Sequence, residues 1–315
     1  MSDVAEARVP EPLDAAAIYD RACRRAGLTD AEVAARFADD VAVDLAPSGV
    51  DVTSWAFVDG EAHGDALMRT REAGVLCGAA FLVGGVGRGG LEGLRLELLA
   101  EEGKPLAPGD GAARLSGPLR QILTFERAAL NLVTHLSGIA TLTAKYVEQT
   151  RGTKATICDT RKTLPGLRRW QKYAVVCGGG TPHRDGLGDA MLVKDNHLDG
   201  VPLEALTATL DRAAGRARAE YPGLKFVEVE VDTLDQLRRV LASSVDLVLL
   251  DNMSLEQLRE AVAMRDATNP RVGLEASGGV TIDTVAGIAA TGVDRISVGA
   301  LTHSAPSLDL GLDRR

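Results

Sequence analysis

Between residue 150 and the C-terminus, short apolar β-prone runs alternate with helical stretches, and this alternation constrains the fold more than any other feature of the chain. The runs cover residues 155–158, 190–194, 226–231, 247–251, 272–276 and 295–298. Helical patterns fill 167–177, 203–219, 234–241, 255–264 and 282–289. Strands separated by helices join as right-handed βαβ units around a parallel sheet. Polar chemistry recurs at each strand exit, so a barrel is expected over an open sheet.

The first 150 residues have a different texture. Asp14 is placed to cap a helix that Gly27 stops, and Asp30 to cap a second that ends before Pro47-Ser48-Gly49. Residues 51–118 read as a small α+β region, with β-like runs at 54–58, 75–82 and 94–99 between glycine turns. Within it, Gly85-Val86-Gly87-Arg88-Gly89-Gly90 has the form G-x-G-x-x-G. No βαβ unit follows, so it reads as a glycine-rich loop and not as a dinucleotide site. Residues 119–150 are helical, with Leu130, Val133, Leu136, Ile139 and Leu142 forming a buried stripe. His135 within this stretch reads as structural.

A net charge of −9 excludes general nucleic-acid affinity, which needs a basic face. An acidic chain holds an anion only where its cations cluster. The four cysteines, Cys23, Cys77, Cys158 and Cys177, form no C-x-x-C pair and suit a reducing cytoplasm. No run approaches a membrane span, and the N-terminus does not read as a signal peptide.

The strand exits carry the chemistry. The first gives Asp159, Arg161 and Lys162, and the second Lys194, Asp195, Asn196 and His197. In Val227-Glu228-Val229-Glu230-Val231 alternation sends the valines to one face and both glutamates to the other, inward in a barrel. The fourth exit ends in Asp251-Asn252, the fifth in Glu275-Ala276-Ser277-Gly278-Gly279 and the sixth in Ser297-Val298-Gly299-Ala300. Glycine turns alone account for part of this, but glycine also lets backbone N–H groups approach a phosphate. Ahead of the second strand, Cys177-Gly178-Gly179-Gly180-Thr181-Pro182-His183-Arg184 reads as a loop able to fold over a ligand. Arg161, Lys162, His183, Arg184 and Lys194 together make a positive pocket suited to a small polyanion. Arg161 and Lys162 in isolation would read as a solvated pair. Glu230 and Asp251 suit Mg²⁺, and equally suit buried pairing with Lys194 or Lys162.

These stretches together resemble the quinolinate phosphoribosyltransferases, the carboxylating nicotinate-nucleotide pyrophosphorylases. The similarity rests on Glu126-Arg127-Ala128-Ala129-Leu130-Asn131, His135-Leu136-Ser137-Gly138-Ile139-Ala140-Thr141, Asp159-Thr160-Arg161-Lys162-Thr163 with Pro165-Gly166, and Lys172-Tyr173-Ala174-Val175. It continues through Cys177-Gly178-Gly179-Gly180, His183-Arg184, Lys194-Asp195-Asn196-His197, Glu228-Val229-Glu230-Val231, Leu250-Asp251-Asn252, Glu275-Ala276-Ser277-Gly278-Gly279 and Ser297-Val298-Gly299. The resemblance implies an N-terminal α/β-sandwich domain, residues 1–125 with the tail 304–315, joined to an incomplete parallel α/β barrel over 126–303. It implies transfer of phosphoribosyl from phosphoribosyl pyrophosphate to quinolinate, with Mg²⁺, giving nicotinate mononucleotide, pyrophosphate and CO2. It further implies a homodimer with shared active sites, in which Arg127 reaches the partner's site.

By resemblance and by charge, quinolinate falls to Arg127, Arg161, His183, Arg184 and Lys194. The phosphoribosyl and phosphate groups fall to Lys162, Ser277, Gly278, Gly279, Gly299 and His303. Catalytic roles fall to Lys162, Glu230 and Asp251, the last two also as metal ligands or stabilisers of the ribosyl cation. Thr181-Pro182 departs from the family, which often has Asn before the His, and Pro182 confines Thr181 to extended geometry. The rivals are a nicotinate phosphoribosyltransferase without CO2 loss, a barrel lyase using Lys194 or Lys162 as a Schiff base, and a non-catalytic sensor.

Overall fold

The computed structural model describes residues 12–87 and 91–314, and the chain divides into two units. One gathers the chain up to Leu142, Arg169–Gly179 and the segment from Ala305, and the other Thr143–Arg168 and Gly180–Ser304. In chain order the described strands are β1 His63–Thr70, β2 Gly74–Val75, β3 Arg95–Leu98, β4 Pro105–Leu106, β5 Gly111–Pro118, β6 Thr156–Cys158, β7 Met191–Val193, β8 Val227–Val231, β9 Leu247–Asp251, β10 Gly273–Ser277, β11 Arg295–Ser297 and β12 Leu310–Arg314.

The first unit holds a four-stranded antiparallel sheet in the order β12-β1-β5-β3. Helix Ala15–Ala26 starts where Asp14 accepts the Ala17 N–H at 3.0 Å and stops at left-handed Gly27. The second helix, Asp30–Leu45, is capped by Thr29 and not by Asp30. Glu32 returns to the Thr29 N–H at 2.8 Å while the Thr29 hydroxyl accepts the Glu32 N–H, and this reciprocal pair fixes the start one residue earlier.

Two expected strands are absent. Residues 54–58 lie largely in helix Val52–Phe57, because the Asp51 carboxylate accepts the Ser54 N–H and caps a turn that outweighs local β propensity. The run 75–82 is extended only over Gly74–Val75, since Gly78 at φ 98° turns the chain into the 3₁₀ segment Ala79–Phe81. In the Gly85–Gly90 motif, Arg88 to Gly90 lie outside the described residues. Gly85 closes a helical turn against Phe37 and Phe125, where an added Cβ would meet Phe37 at 2.7 Å, so its smallness serves packing.

Helix Leu119–Gln149 begins in the first unit and ends in the second. Leu130, Val133, Leu136 and Ile139 are buried along it, and Leu142 is half-buried. Gly138 admits the Pro306 carbonyl so closely that an added Cβ would clash with it.

The second unit is a six-stranded parallel sheet, ordered β6-β11-β10-β9-β8-β7. Each expected strand is present, with ends within one residue of the sequence pattern. Ile157, Val229, Val248, Leu250, Leu274 and Ile296 are buried on one face, each contributing about 1.5–3 kcal/mol by burial. The other row of alternating side chains carries Glu228, Glu230, Asp251, Glu275, Arg295 and Ser297. Flat strands three places apart would lie about 14 Å from one another. The Arg295 guanidinium on β11 nevertheless sits 5.5 Å from the ring of Phe226, just before β8, so the sheet curls around this polar row. β6 and β7 end the strand order without pairing. This is the incomplete barrel. Beside the gap, Thr181 makes an isolated parallel bridge to Cys158.

Candidate active site

Sheet order arranges the chemistry of the second unit. The loops after β6, β11 and β10 bring Arg161-Lys162, Gly299 with His303, and Ser277-Gly278-Gly279 to neighbouring exits. Those after β9, β8 and β7 bring Asp251, Glu230 and Lys194. One side of the rim is therefore rich in cations and glycine, the other in carboxylates.

Thr181 takes the extended form that Pro182 demands, and its N–H donates to the Ile157 carbonyl at 2.8 Å. The next residues hang from buried Asp159, whose Oδ1 accepts the His183 N–H at 2.9 Å. His183 Nε2 lies 3.0 Å from Glu228 and 3.2 Å from Glu275, both carboxylates fully buried. Arg295 pairs with Glu275 at 2.7 Å, and the Ser297 hydroxyl donates to the same carboxylate. His183, Glu228 and Glu275 are spaced as cation ligands are, but Arg295 already supplies positive charge there.

Burial disfavours a charged His183, and hydrogen bonds to Glu228 and Glu275 outweigh it, pushing its pKa up to about 9. Burial, then Glu275, raises Glu228. Burial works against ionised Glu275, but His183 and Arg295 prevail and lower its pKa. The Arg184 N–H points at His183 Nδ1 from 2.7 Å and favours the neutral ring. A second proton on His183 therefore requires that backbone contact to give way.

Arg184 is buried, and among the described residues its guanidinium makes a long 3.4 Å contact to the Ala190 carbonyl. Burial, then the neighbouring Arg161 guanidinium, lowers its pKa. Arg161 Nε is buried with no hydrogen-bond acceptor among the described residues. Two neighbouring guanidiniums, one with an Nε–H that has no acceptor among the described residues, form a site for an anion.

The Thr302 hydroxyl donates to the Lys162 carbonyl at 2.7 Å. An added Cβ on Gly299 would meet His303 Nε2 and Lys162 Cδ at 3.2 Å each, so glycine keeps both side chains close. At the next exit, Gly278 has φ 92°, and an added Cβ would meet Asn252 Oδ1 at 2.2 Å. Asn252, itself left-handed at φ 53°, donates its N–H to the Ser277 carbonyl and its amide to Asp251. These contacts lock the fourth and fifth exits together.

Lys194 is ion-paired with Glu230, realising one of the two readings left open for that carboxylate. Beside Glu230 opens a cavity of about 410 Å³ whose walls include Asp195, Asn196 and Asp232. Arg127 belongs to the first unit, where it is exposed and borders a cavity of about 460 Å³ with Asp44, Pro47 and Thr124. The remaining site residues read from the sequence all lie in the second unit. Sequence reasoning gave no role to Glu228, Glu275, Arg295 or the anchoring Asp159. The available signal was polar residues two apart, as in Glu275 with Ser277 and Arg295 with Ser297.

The comparisons agree with this arrangement. The model of the quinolinate phosphoribosyl transferase C-terminal domain matches residues 139–313, and that of the N-terminal domain matches 51–137. The chain is 46% identical over 270 residues to the carboxylating nicotinate-nucleotide pyrophosphorylase of Mycobacterium leprae, covering 84% of this chain and 91% of that protein. It is 37% identical over 263 residues to a probable enzyme of the same name from Bacillus subtilis, covering 84% and 87%. The solved nicotinate-nucleotide pyrophosphorylase of Francisella tularensis superposes with a TM-score of 0.81 at 35% identity, over 91% of this chain and 98% of that one. The chain belongs to the quinolinate phosphoribosyltransferase family.

Proposed function

We infer that the chain transfers the phosphoribosyl group of phosphoribosyl pyrophosphate to quinolinate with loss of CO2, yielding nicotinate mononucleotide and pyrophosphate. The observation that carries this is the Arg161–Arg184 pair, two adjacent cations with a buried guanidinium N–H that has no acceptor among the described residues, in a chain of net charge −9. A planar dicarboxylate is the ligand such a pair suits.

Lys162, Ser277, Gly278, Gly279, Gly299 and His303 cluster at adjacent exits and would hold the phosphate groups of the donor. Glu230 and Asp251 face the opening ribosyl centre, where their negative charge stabilises the cation that develops as the C–O bond breaks. The quinolinate nitrogen forms the new bond and becomes positive. When the adjacent carboxylate departs as CO2, its electron pair stays on the ring carbon as an ylide stabilised by the neighbouring positive nitrogen, and a proton taken up from solvent at that carbon completes nicotinate mononucleotide. The chain's task is positioning and electrostatics.

Glu230 and Asp251 also fit Mg²⁺. Both are hard oxygen donors, and each keeps one oxygen without a hydrogen bond among the described residues. The ion would neutralise charge on the leaving pyrophosphate.

Homodimer assembly is part of the reading. Trp55 is 65% exposed and Phe57 89%, with Val43 and Val52 also exposed, an apolar surface that a second copy would cover. Arg127, exposed in the same unit, is the residue to reach a partner's site. We place the enzyme in the cytoplasm on its scattered free cysteines. Among the described residues no helix is long and apolar enough to cross a membrane.

The test incubates the protein with quinolinate, phosphoribosyl pyrophosphate and Mg²⁺, and measures nicotinate mononucleotide and CO2 together, with nicotinate in a parallel tube. Equal formation of both products from quinolinate is expected. Turnover of nicotinate alone would assign the chain to the rival that loses no CO2.

A further inference from the structure

The first unit contains a second cluster that the transfer reaction does not use. Cys77 follows β2, Glu102 sits in the turn between β3 and β4, and Cys177 ends helix Arg168–Cys177. Their ligand-capable atoms all lie within 4.8 Å of one another. We propose that Cys77, Cys177 and Glu102 form a binding site for a thiophilic divalent cation of the zinc class.

The site is built. Cys77 is fully buried, and Ser137 fastens its backbone, accepting the Cys77 N–H at 2.9 Å and donating to its carbonyl at 3.1 Å. Glu102 is oriented by two backbone N–H groups, Gly78 at 2.6 Å and Ala80 at 2.9 Å. The turn carrying Glu102 is tied to the Cys77 segment by Gly103 N–H to Leu76 carbonyl at 2.8 Å and Leu76 N–H to Lys104 carbonyl at 3.0 Å. The same turn presses on the helix end, since a Cβ on Gly103 would lie 3.1 Å from the Cys177 carbonyl. Phe81 packs edge-on to the Tyr173 and Trp170 rings, both on the helix that ends in Cys177.

Two thiols and a carboxylate are the donor set of zinc and its neighbours, not of Mg²⁺. Among the described residues Glu102 makes no ion pair, so no side-chain cation occupies the place of the ion. Cys177 and Glu102 are part-exposed and give an entry path. A tetrahedral ion would draw the ligand atoms to roughly 3.5 Å apart, within the reach of side-chain rotation, and leave a fourth position for water. Partners that hold a carboxylate in place are what tuned metal sites have.

The test uses the full chain, stripped of metal under reducing conditions and titrated with Co²⁺ and then Zn²⁺. Thiolate-to-cobalt charge-transfer absorption, bleached by Zn²⁺ and untouched by excess Mg²⁺, is expected. Cys177→Ser should weaken binding roughly 100-fold or more and reduce the thiolate absorption, and Glu102→Gln should weaken it about tenfold. Cys177 is only part-buried, so its variant keeps the test valid if Cys77→Ser fails to fold. No thiolate absorption in the wild type, or the same absorption in Cys177→Ser, would overturn the proposal. So would failure to bind Zn²⁺ in a protein that readily forms a Cys77–Cys177 disulfide with diamide, which would make the pair a thiol oxidation site instead.

Discussion

His183 Nε2 lies 3.0 Å from Glu228, a carboxylate with no solvent exposure at the centre of a parallel strand. The pair joins the segment that delivers Arg184 to the interior of the curled sheet. Removing one partner strands the other in a low-dielectric site, a loss of about 3 kcal/mol or more. Glu228→Ala should therefore lower the urea midpoint and raise KM for quinolinate more than for phosphoribosyl pyrophosphate. Unchanged stability would show that Glu275 and Asp159 hold His183 without Glu228.

The same pair sets a pH dependence. The ordinary His pKa is about 6.5, and in the fold that of His183 is pushed up to about 9. A raised pKa means that the folded state binds the proton more tightly. The stabilisation is complete below about pH 6.5 and is lost as pH rises through 9, on the order of 3 kcal/mol in all. Urea midpoints taken at about pH 6 and about pH 9.5 should fall across that window. His183→Gln should flatten the fall, and an equal slope in the variant would assign it to other groups.

Arg161→Ala removes the guanidinium whose buried Nε has no acceptor among the described residues. Losing one charged partner of a bound carboxylate costs about 2–5 kcal/mol, so KM for quinolinate should rise on the order of 100-fold or more. KM for phosphoribosyl pyrophosphate should change little. Equal weakening of both substrates would remove Arg161 from the quinolinate site.

Much of this is legible in the sequence. Strand–helix alternation from residue 150 placed all six parallel strands, because each buries one apolar face and so carries a dense apolar run. β1, β5 and β12 went unread. They are antiparallel, and charges on them meet across strands, as Arg114 does with Glu97 at 3.3 Å and Arg69 with Asp313 at 3.5 Å. Such ladders dilute the apolar signal. Within the site, charged residues at strand exits announced themselves, whereas Glu275 and Arg295 looked like ordinary strand charges until curling of the sheet brought them beside His183. The Cys77–Cys177 proximity joins residues a hundred positions apart and leaves no local pattern.

If Arg127 completes the partner's site, each active site draws on two chains. Arg127→Ala and Lys162→Ala homodimers should each be inactive, the first lacking the arginine at both sites and the second lacking the lysine at both. When the two variants exchange subunits at random, half the dimers are mixed. Each mixed dimer carries one site with both substitutions and one with neither. The mixture should then recover about a quarter of wild-type activity, measured as nicotinate mononucleotide formed after mild dissociation and reassociation. No recovery, with exchange verified by subunits of different mass, would mean that Arg127 serves its own chain or none.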